Sequence, residues 1–347
     1  MLIFKNRIQP AKQSHVADEI EARLNLVKKE FATSFEVEDS QLSAWLAWHE
    51  AVQGKWLRAR LALSTGEQLG LSKQTSIIWA VVCELIHSAS LLHDDVCDQD
   101  SLRRGKTAVW KEFGISAAIC TGDFLIAEAF RKITEIEQGW HQTILLKLLS
   151  CTVKEIIFGQ SQDLTYKPLN AYNDADGERN DWQRYSAIAT QKTAPLISLP
   201  IMGMLHCAEV GPTVCKSLTN ISQHLGLAYQ LLNDLENILT SQHHSHQLDG
   251  LPSDIYYGRA NGVVMLCMQT ASIDERIILG SKNMHSLRLI YSKNAINQSF
   301  MLVDEQTTKA DKLNHQLPVV IGPILLNVAT EIRKRSIKLQ AENPCLA

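Results

Sequence analysis

Asp94 and Asp98 stand four residues apart in the run LLHDDVCDQDSLRRGK, residues 91–106. On a helix that spacing puts both carboxylates on one face. Two carboxylates one turn apart repel each other, and here they close a long apolar segment. A bound cation would offset the repulsion. Hard oxygen ligands this close suit Mg²⁺, which typically takes one or two carboxylates together with substrate phosphates. Taken alone, the acidic run is explained equally well as a solvated helix end. Three basic residues follow directly: Arg103, Arg104 and Lys106. Arginine forks match phosphate oxygens. Simple surface ion pairs are the plain alternative. Acid then base beside a buried helix reads better as a metal–diphosphate site.

The same run resembles the first aspartate-rich motif of the trans-isoprenyl diphosphate synthases, DDxxD followed by RRG. Other segments match that family in order over roughly residues 50–260. GKWLR at 54–58 resembles GKxxR, and His87 precedes Asp94 at the family's interval for its isopentenyl-diphosphate histidine. GDFLIAEAF at 122–130 resembles the GD helix, and GQSQDL at 159–164 resembles GQxxDL. QKTAPL at 191–196 carries the Lys-Thr pair, and YQLLNDLEN at 229–237 stands where the family has FQxxDDxxD. Any one of these motifs is weak; the ordered set is specific.

The resemblance implies a role for each. Asp94 and Asp98 would hold Mg²⁺ against an allylic prenyl diphosphate, with Arg103 and Lys192 neutralising that diphosphate. Thr193 and Gln230 would line the cation site. Lys55, Arg58, His87 and Arg104 would bind isopentenyl diphosphate. Ala89 and Ser90, just before the first motif, would face the chain-length pocket. No bulky aromatic stands there, so a product of fifteen carbons or more is expected. A homodimer and up to three Mg²⁺ ions are implied. Without the family, His87 on an apolar face reads as a satisfied core residue, and Lys192–Thr193 reads as nothing in particular. His93 receives no role.

The second acid motif departs from the pattern. It reads Asn233, Asp234, Leu235, Glu236, Asn237, with asparagine at the first and third aspartate positions. An amide oxygen at Asn233 can still ligate Mg²⁺, but without charge. SDIYYGRANG at 253–262 resembles a later family segment, with Arg259 in place of lysine. The departures keep other readings open: a class I terpene cyclase, a peptide-prenylating relative, or a non-catalytic subunit of a heteromeric synthase. The intact Lys55, Arg58, His87 and Arg104 argue for a two-substrate synthase.

The elements that must position these residues are helical. Apolar residues recur at helical spacing over 14–34, 40–70, 115–136, 140–163, 182–210, 214–240, 253–276, 280–300 and 318–340, and residues 75–96 are apolar nearly all round. The polar stretches 165–181 and 241–252 read as loops, and the second holds His243, His244 and His246 with no cysteine nearby. Seventeen glycines and nine prolines are sparse, and no segment alternates convincingly as a strand. The expected fold is all-α: one helical domain of about ten helices over 1–347. Residues 1–40 would be an N-terminal extension, and 300–347 match the family poorly. The resemblance implies a single bundle of the isoprenoid synthase type around a central apolar cavity.

Composition narrows the rest. The chain is 45% hydrophobic with a formal net charge of −3, so no basic field points to nucleic acid. Eight cysteines are scattered without a CxxC pair, which reads as reduced thiols in a cytoplasmic protein. The first residues are too short an apolar run for a signal peptide, and stable membrane insertion is not expected.

Overall fold

The computed structural model describes residues 13–51, 54–166, 181–240, 251–292 and 294–343. The three histidines at 243, 244 and 246 and most of both expected loops lie outside the described residues. The all-α expectation holds. Fifteen α-helices are present among the described residues, with one 3₁₀ turn (Asn314–Gln316) and one very short hairpin.

Two compact units emerge, residues 1–149 with 200–209, and residues 150–199 with 210–347. The first unit contains α1 (Gln13–Thr33), α2 (Ser40–Glu50), α3 (Leu57–Gln68), α4 (Lys73–Asp98), α5 (Val109–Phe113) and α6 (Ile115–Ile133). Its organising element is α4. Ser72 caps its start by accepting from the Thr75 N–H at 3.1 Å. From there the helix runs apolar on nearly every face, and α1, α3 and α6 pack against it. Trp79, Leu85 and Leu92 are fully buried, and the Trp79 indole donates to the Pro200 carbonyl at 3.1 Å. By length and composition α4 could cross a bilayer, but 72% of its most apolar stretch is buried inside the protein. That burial places the acidic end, Asp94–Asp98, where the core stops.

The second unit is organised around α9 (Pro212–Thr240). Against it pack α10 (Ser253–Tyr257), α11 (Gly262–Thr270), α14 (Ala295–Leu313) and α15 (Gly322–Glu342). Helix α12 (Ile273–Gly280) packs on α13 (Met284–Ser292). The long α7 (Gly139–Thr165) and α8 (Asp181–Cys207) each run through both units along the chain.

Three departures from the sequence reading have local causes. The stretch 253–276 is not one helix. Gly258 closes α10 with φ 67°, Asn261 caps α11, and Ser272 with Glu275 forms a capping box at the start of α12. The stretch 280–300 is likewise broken, between α13 and α14, where Asn294 adopts a left-handed conformation that asparagine tolerates. The RRG segment is a hairpin: β1 (Leu102–Arg103) pairs antiparallel with β2 (Lys106–Thr107). Arg104 and Gly105 form its two-residue turn, both with positive φ (52° and 81°). A primed turn of that kind matches the twist of the strands and wants glycine.

Candidate active site

At the C-terminal end of α4, the two neighbouring aspartates of the first motif part company. Asp94 and Asp98 are half-buried one turn apart, as their spacing predicts. Asp95 is 2% exposed and turns into the protein. The hairpin brings Arg103 onto it: Nε donates to Asp95 Oδ1 at 2.8 Å, and Nη2 reaches the same oxygen. Burial pushes the Asp95 carboxyl up to about 6, against the pull of Arg103 and with a push from Asp94 and Asp98. Arg103 was expected to serve a substrate diphosphate. Its guanidinium is tied to the motif itself. It carries a second, looser pairing to Asp100 at 3.8 Å.

The residues matched to a second substrate come together in the same unit. Arg104, at the hairpin turn, lays its guanidinium against Gly54. A Cβ at Gly54 would lie 2.7 Å from Arg104 Nη2, so a side chain there would push the guanidinium aside. Lys55 is exposed at the entry to α3, and Arg58 lies in its first turn. Trp56, at the cap position of α3, offers no side-chain cap. The cap comes from elsewhere: Glu84 of α4 accepts from the Ala59 N–H at 2.9 Å. A carboxylate at a helix N-terminus suits both the open N–H groups and the macrodipole. Burial raises the Glu84 carboxyl, while Arg58 opposes that shift.

His87 lies one turn further along α4. Its Nδ1 is shut off from solvent without a protein partner. Burial holds the imidazole well below its usual range, and Arg58 and Arg104 push the same way. A neutral histidine whose ring nitrogen lacks a protein partner is suited to hydrogen bonding with a ligand. Ala89 is buried, and the Ser90 hydroxyl donates to the His87 carbonyl at 2.8 Å. His93, without a role in the sequence, sits 3.5 Å from Asp123 of the GD helix.

The second unit carries the remaining motifs. Lys192 Nζ donates to Asp163 Oδ2 at 3.2 Å, joining the Lys-Thr pair of α8 to the GQxxDL-like end of α7. From Thr193 a chain of hydrogen bonds runs inward. Thr193 Oγ1 donates to Gln230 Oε1 at 3.3 Å, and Gln230 Nε2 donates to Asp234 Oδ1 at 3.0 Å. Asp234 Oδ2 accepts from the Tyr185 hydroxyl at 2.5 Å and from the Gly262 N–H at 2.6 Å. Burial pushes Asp234 up to about 7, with Asp254 adding to the shift.

Around this buried carboxylate the motif is tied outward. Asn237 donates to Ser253 Oγ at 2.8 Å and accepts from the Asp254 N–H at 3.4 Å. Arg335 of α15 donates to Asn233 Oδ1 at 2.9 Å and holds both carboxylate oxygens of Glu236. The expected metal ligand Asn233 therefore meets an arginine at its carbonyl. Arg259, in place of the family lysine, lies 3.7 Å from Asp254.

Glu84, Asp95, Asp163, Tyr185, Asp234 and Arg335 are absent from the sequence-derived set of site residues. Asp95, Asp163 and Asp234 lay inside quoted motifs. Tyr185 carries no local signal, and Arg335 stands in the basic run RKRS at 333–336, which does not reveal its partner; the two partners are 49 and 99 residues away.

Comparisons with known proteins identify the family and the fold. The polyprenyl synthetase family model matches residues 41–293. A geranylgeranyl diphosphate synthase of Saccharolobus solfataricus is 29% identical over 264 residues, covering 74% of this chain and 73% of its own. An octaprenyl diphosphate synthase of Haemophilus influenzae is 31% identical over 184 residues, about half the length of each (52% and 52%). A crystal structure of a Rhodobacter capsulatus decaprenyl diphosphate synthase superposes with TM-score 0.77 at 20% identity, covering 93% of this chain and 99% of that one. A Caulobacter crescentus polyprenyl synthase, solved with calcium and isoprenyl diphosphate, gives 0.76 at 22% identity, covering 95% and 99%. The fold is the one these synthases share.

Proposed function

Since the chain belongs to the polyprenyl synthetase family, we propose that it is a Mg²⁺-dependent prenyltransferase joining an allylic prenyl diphosphate to isopentenyl diphosphate, giving a longer trans-prenyl diphosphate. The observation that carries this reading is the second-substrate cluster. Lys55, Arg58, His87 and Arg104 are held in one unit by the Gly54–Arg104 contact and the Glu84 cap on α3. A cyclase works on one diphosphate and has no use for such a cluster.

The donor chemistry at Asp94 and Asp98 fits Mg²⁺: two half-buried carboxylates one turn apart, with Asp95 already engaged by Arg103. Bound there, the ion supplies Lewis-acid stabilisation of charge on the departing diphosphate. The chain's own residues do the rest. Arg103 and Lys192 add fixed positive charge, each oriented by a carboxylate partner. Thr193 and Gln230, bonded to each other, would offer side-chain dipoles to a carbocation. Lys55, Arg58, Arg104 and His87 hold the diphosphate of the acceptor so that its double bond can attack. Ala89, small and just ahead of Asp94, leaves room for a product of fifteen carbons or more. A homodimer in the cytoplasm completes the reading.

The test is a product assay with Mg²⁺, labelled isopentenyl diphosphate and allylic starters of about five to twenty carbons; ionisation needs the metal and a dry site. Elongated prenyl diphosphates are the expected product. Hydrocarbons formed without isopentenyl diphosphate would replace this reading with a cyclase. No turnover of any starter would favour the non-catalytic subunit.

A further inference from the structure

All six side-chain oxygens of the second acid motif accept hydrogen bonds from protein donors. Asn233 Oδ1 and both Glu236 oxygens take Arg335. The two Asp234 oxygens take Gln230, Tyr185 and the Gly262 N–H. Asn237 Oδ1 takes the Asp254 N–H. A divalent cation at Asn233 or Glu236 would sit against the Arg335 guanidinium or have to displace it. The residues present at this motif do not fit a metal ion.

We propose that Arg335 is the resident cation of the second acid motif, so that this chain takes its divalent metal through Asp94 and Asp98 without help from Asn233. The proposal rests on the synthase reading for its place in the reaction, and on the geometry of α9 and α15 for its substance. Arginine stays charged under all working conditions, and its planar fork matches a carboxylate. Here the fork spans Glu236 and reaches Asn233 one turn earlier. The guanidinium also lies over the Tyr229 ring, 5.3 Å from its centre. Three contacts on one face of α9 fix its orientation. A lone surface ion pair would have neither the amide nor the ring.

The asparagine at 233 follows from the same geometry. With an arginine supplying the positive charge, a neutral acceptor is sufficient beside Glu236. Removing Arg335 and restoring an aspartate at 233 should recreate a metal site. The arginine thus replaces an ion that comes and goes with a charge that is part of the fold.

The experiment counts Mn²⁺ bound to the full chain by electron paramagnetic resonance, in the absence of substrate. Counting needs no turnover. Failure to elongate would overturn the synthase reading, while the count would still decide this proposal. Asn233→Ala is expected to bind as many ions as the natural chain. The double variant Asp94→Asn/Asp98→Asn is expected to bind none. Asn233→Asp/Arg335→Met is expected to gain one ion. A lower count in Asn233→Ala overturns the proposal. So does a bound ion that survives in Asp94→Asn/Asp98→Asn, or an unchanged count in a folded Asn233→Asp/Arg335→Met. If that last variant loses its helical circular dichroism, Asn233→Ala and Asp94→Asn/Asp98→Asn, both of which keep Arg335, decide alone.

Discussion

The two acid motifs share a plan and differ in what stands at its outward positions. In each, the second residue of the leading pair is buried and held. Asp95 is held by Arg103, and Asp234 by Tyr185, Gly262 and Gln230. In each, the first and fifth residues are half-buried. On α4 these are Asp94 and Asp98. On α9 they are Asn233 and Asn237, and both are bonded to neighbouring protein groups. The second position is thus an anchor that ties the helix into its unit, and the first and fifth positions set the charge offered outward. The anchor survives in both motifs; the outward charge survives only in the first.

The comparison can be broken most decisively on α4. Asp94→Ala should lower kcat/KM by roughly a thousandfold, about 4 kcal/mol of lost transition-state stabilisation, measured by steady-state kinetics with Mg²⁺. Its melting temperature should stay near that of the natural chain, because an outward position carries little packing. Near-normal turnover would remove the first motif from the mechanism.

The anchors predict the reverse pattern. Asp234→Ala strands the Tyr185 hydroxyl and the Gly262 N–H in the core. It should cost about 3 kcal/mol in urea unfolding, with the second unit losing protection first in hydrogen exchange. A stability loss no greater than that of Asn233→Ala would show that the two positions do not differ as described.

Glu84→Ala sharpens the comparison from the first unit. Losing a helix cap costs about 1 kcal/mol, so KM for isopentenyl diphosphate should rise roughly fivefold with kcat little changed. Glu84→Gln, which keeps the acceptor, should restore most of it. An equal fall in kcat for both variants would mean that the carboxylate acts on the reaction itself. The smallest effect concerns product distribution. Ala89→Phe should shorten the longest product, read by mass, while leaving the initial condensation rate within about twofold, since only pocket volume changes.

How much of this was legible in the sequence depends on the range of the signal. Helices α4, α6, α7, α8 and α9 were readable from their apolar periodicity, to within a few residues. The breaks after Tyr257 were written locally too, in Gly258, Asn261 and the Ser272–Glu275 box, but a long apolar pattern masked them. Arg103 was expected from its motif to face a diphosphate. Its bond to Asp95 depends on a two-residue turn that no strand pattern announced. Glu84, Tyr185 and Arg335 were out of reach for a different reason. Each acts on a partner 25 or more residues away, and a lone charge or hydroxyl inside a helix carries no mark of the helix it will meet.

The contact between Gly54 and Arg104 has a consequence for how this chain can drift. A side chain at 54 would push the guanidinium out of its place, and a shorter residue at 104 would leave the glycine uncovered. A change at 54 is therefore felt first at 104, though 50 residues separate them. Variation between relatives should therefore record the two as a linked pair. A library that randomises 54 with Arg104 fixed, selected for use of the second substrate, should favour small residues there.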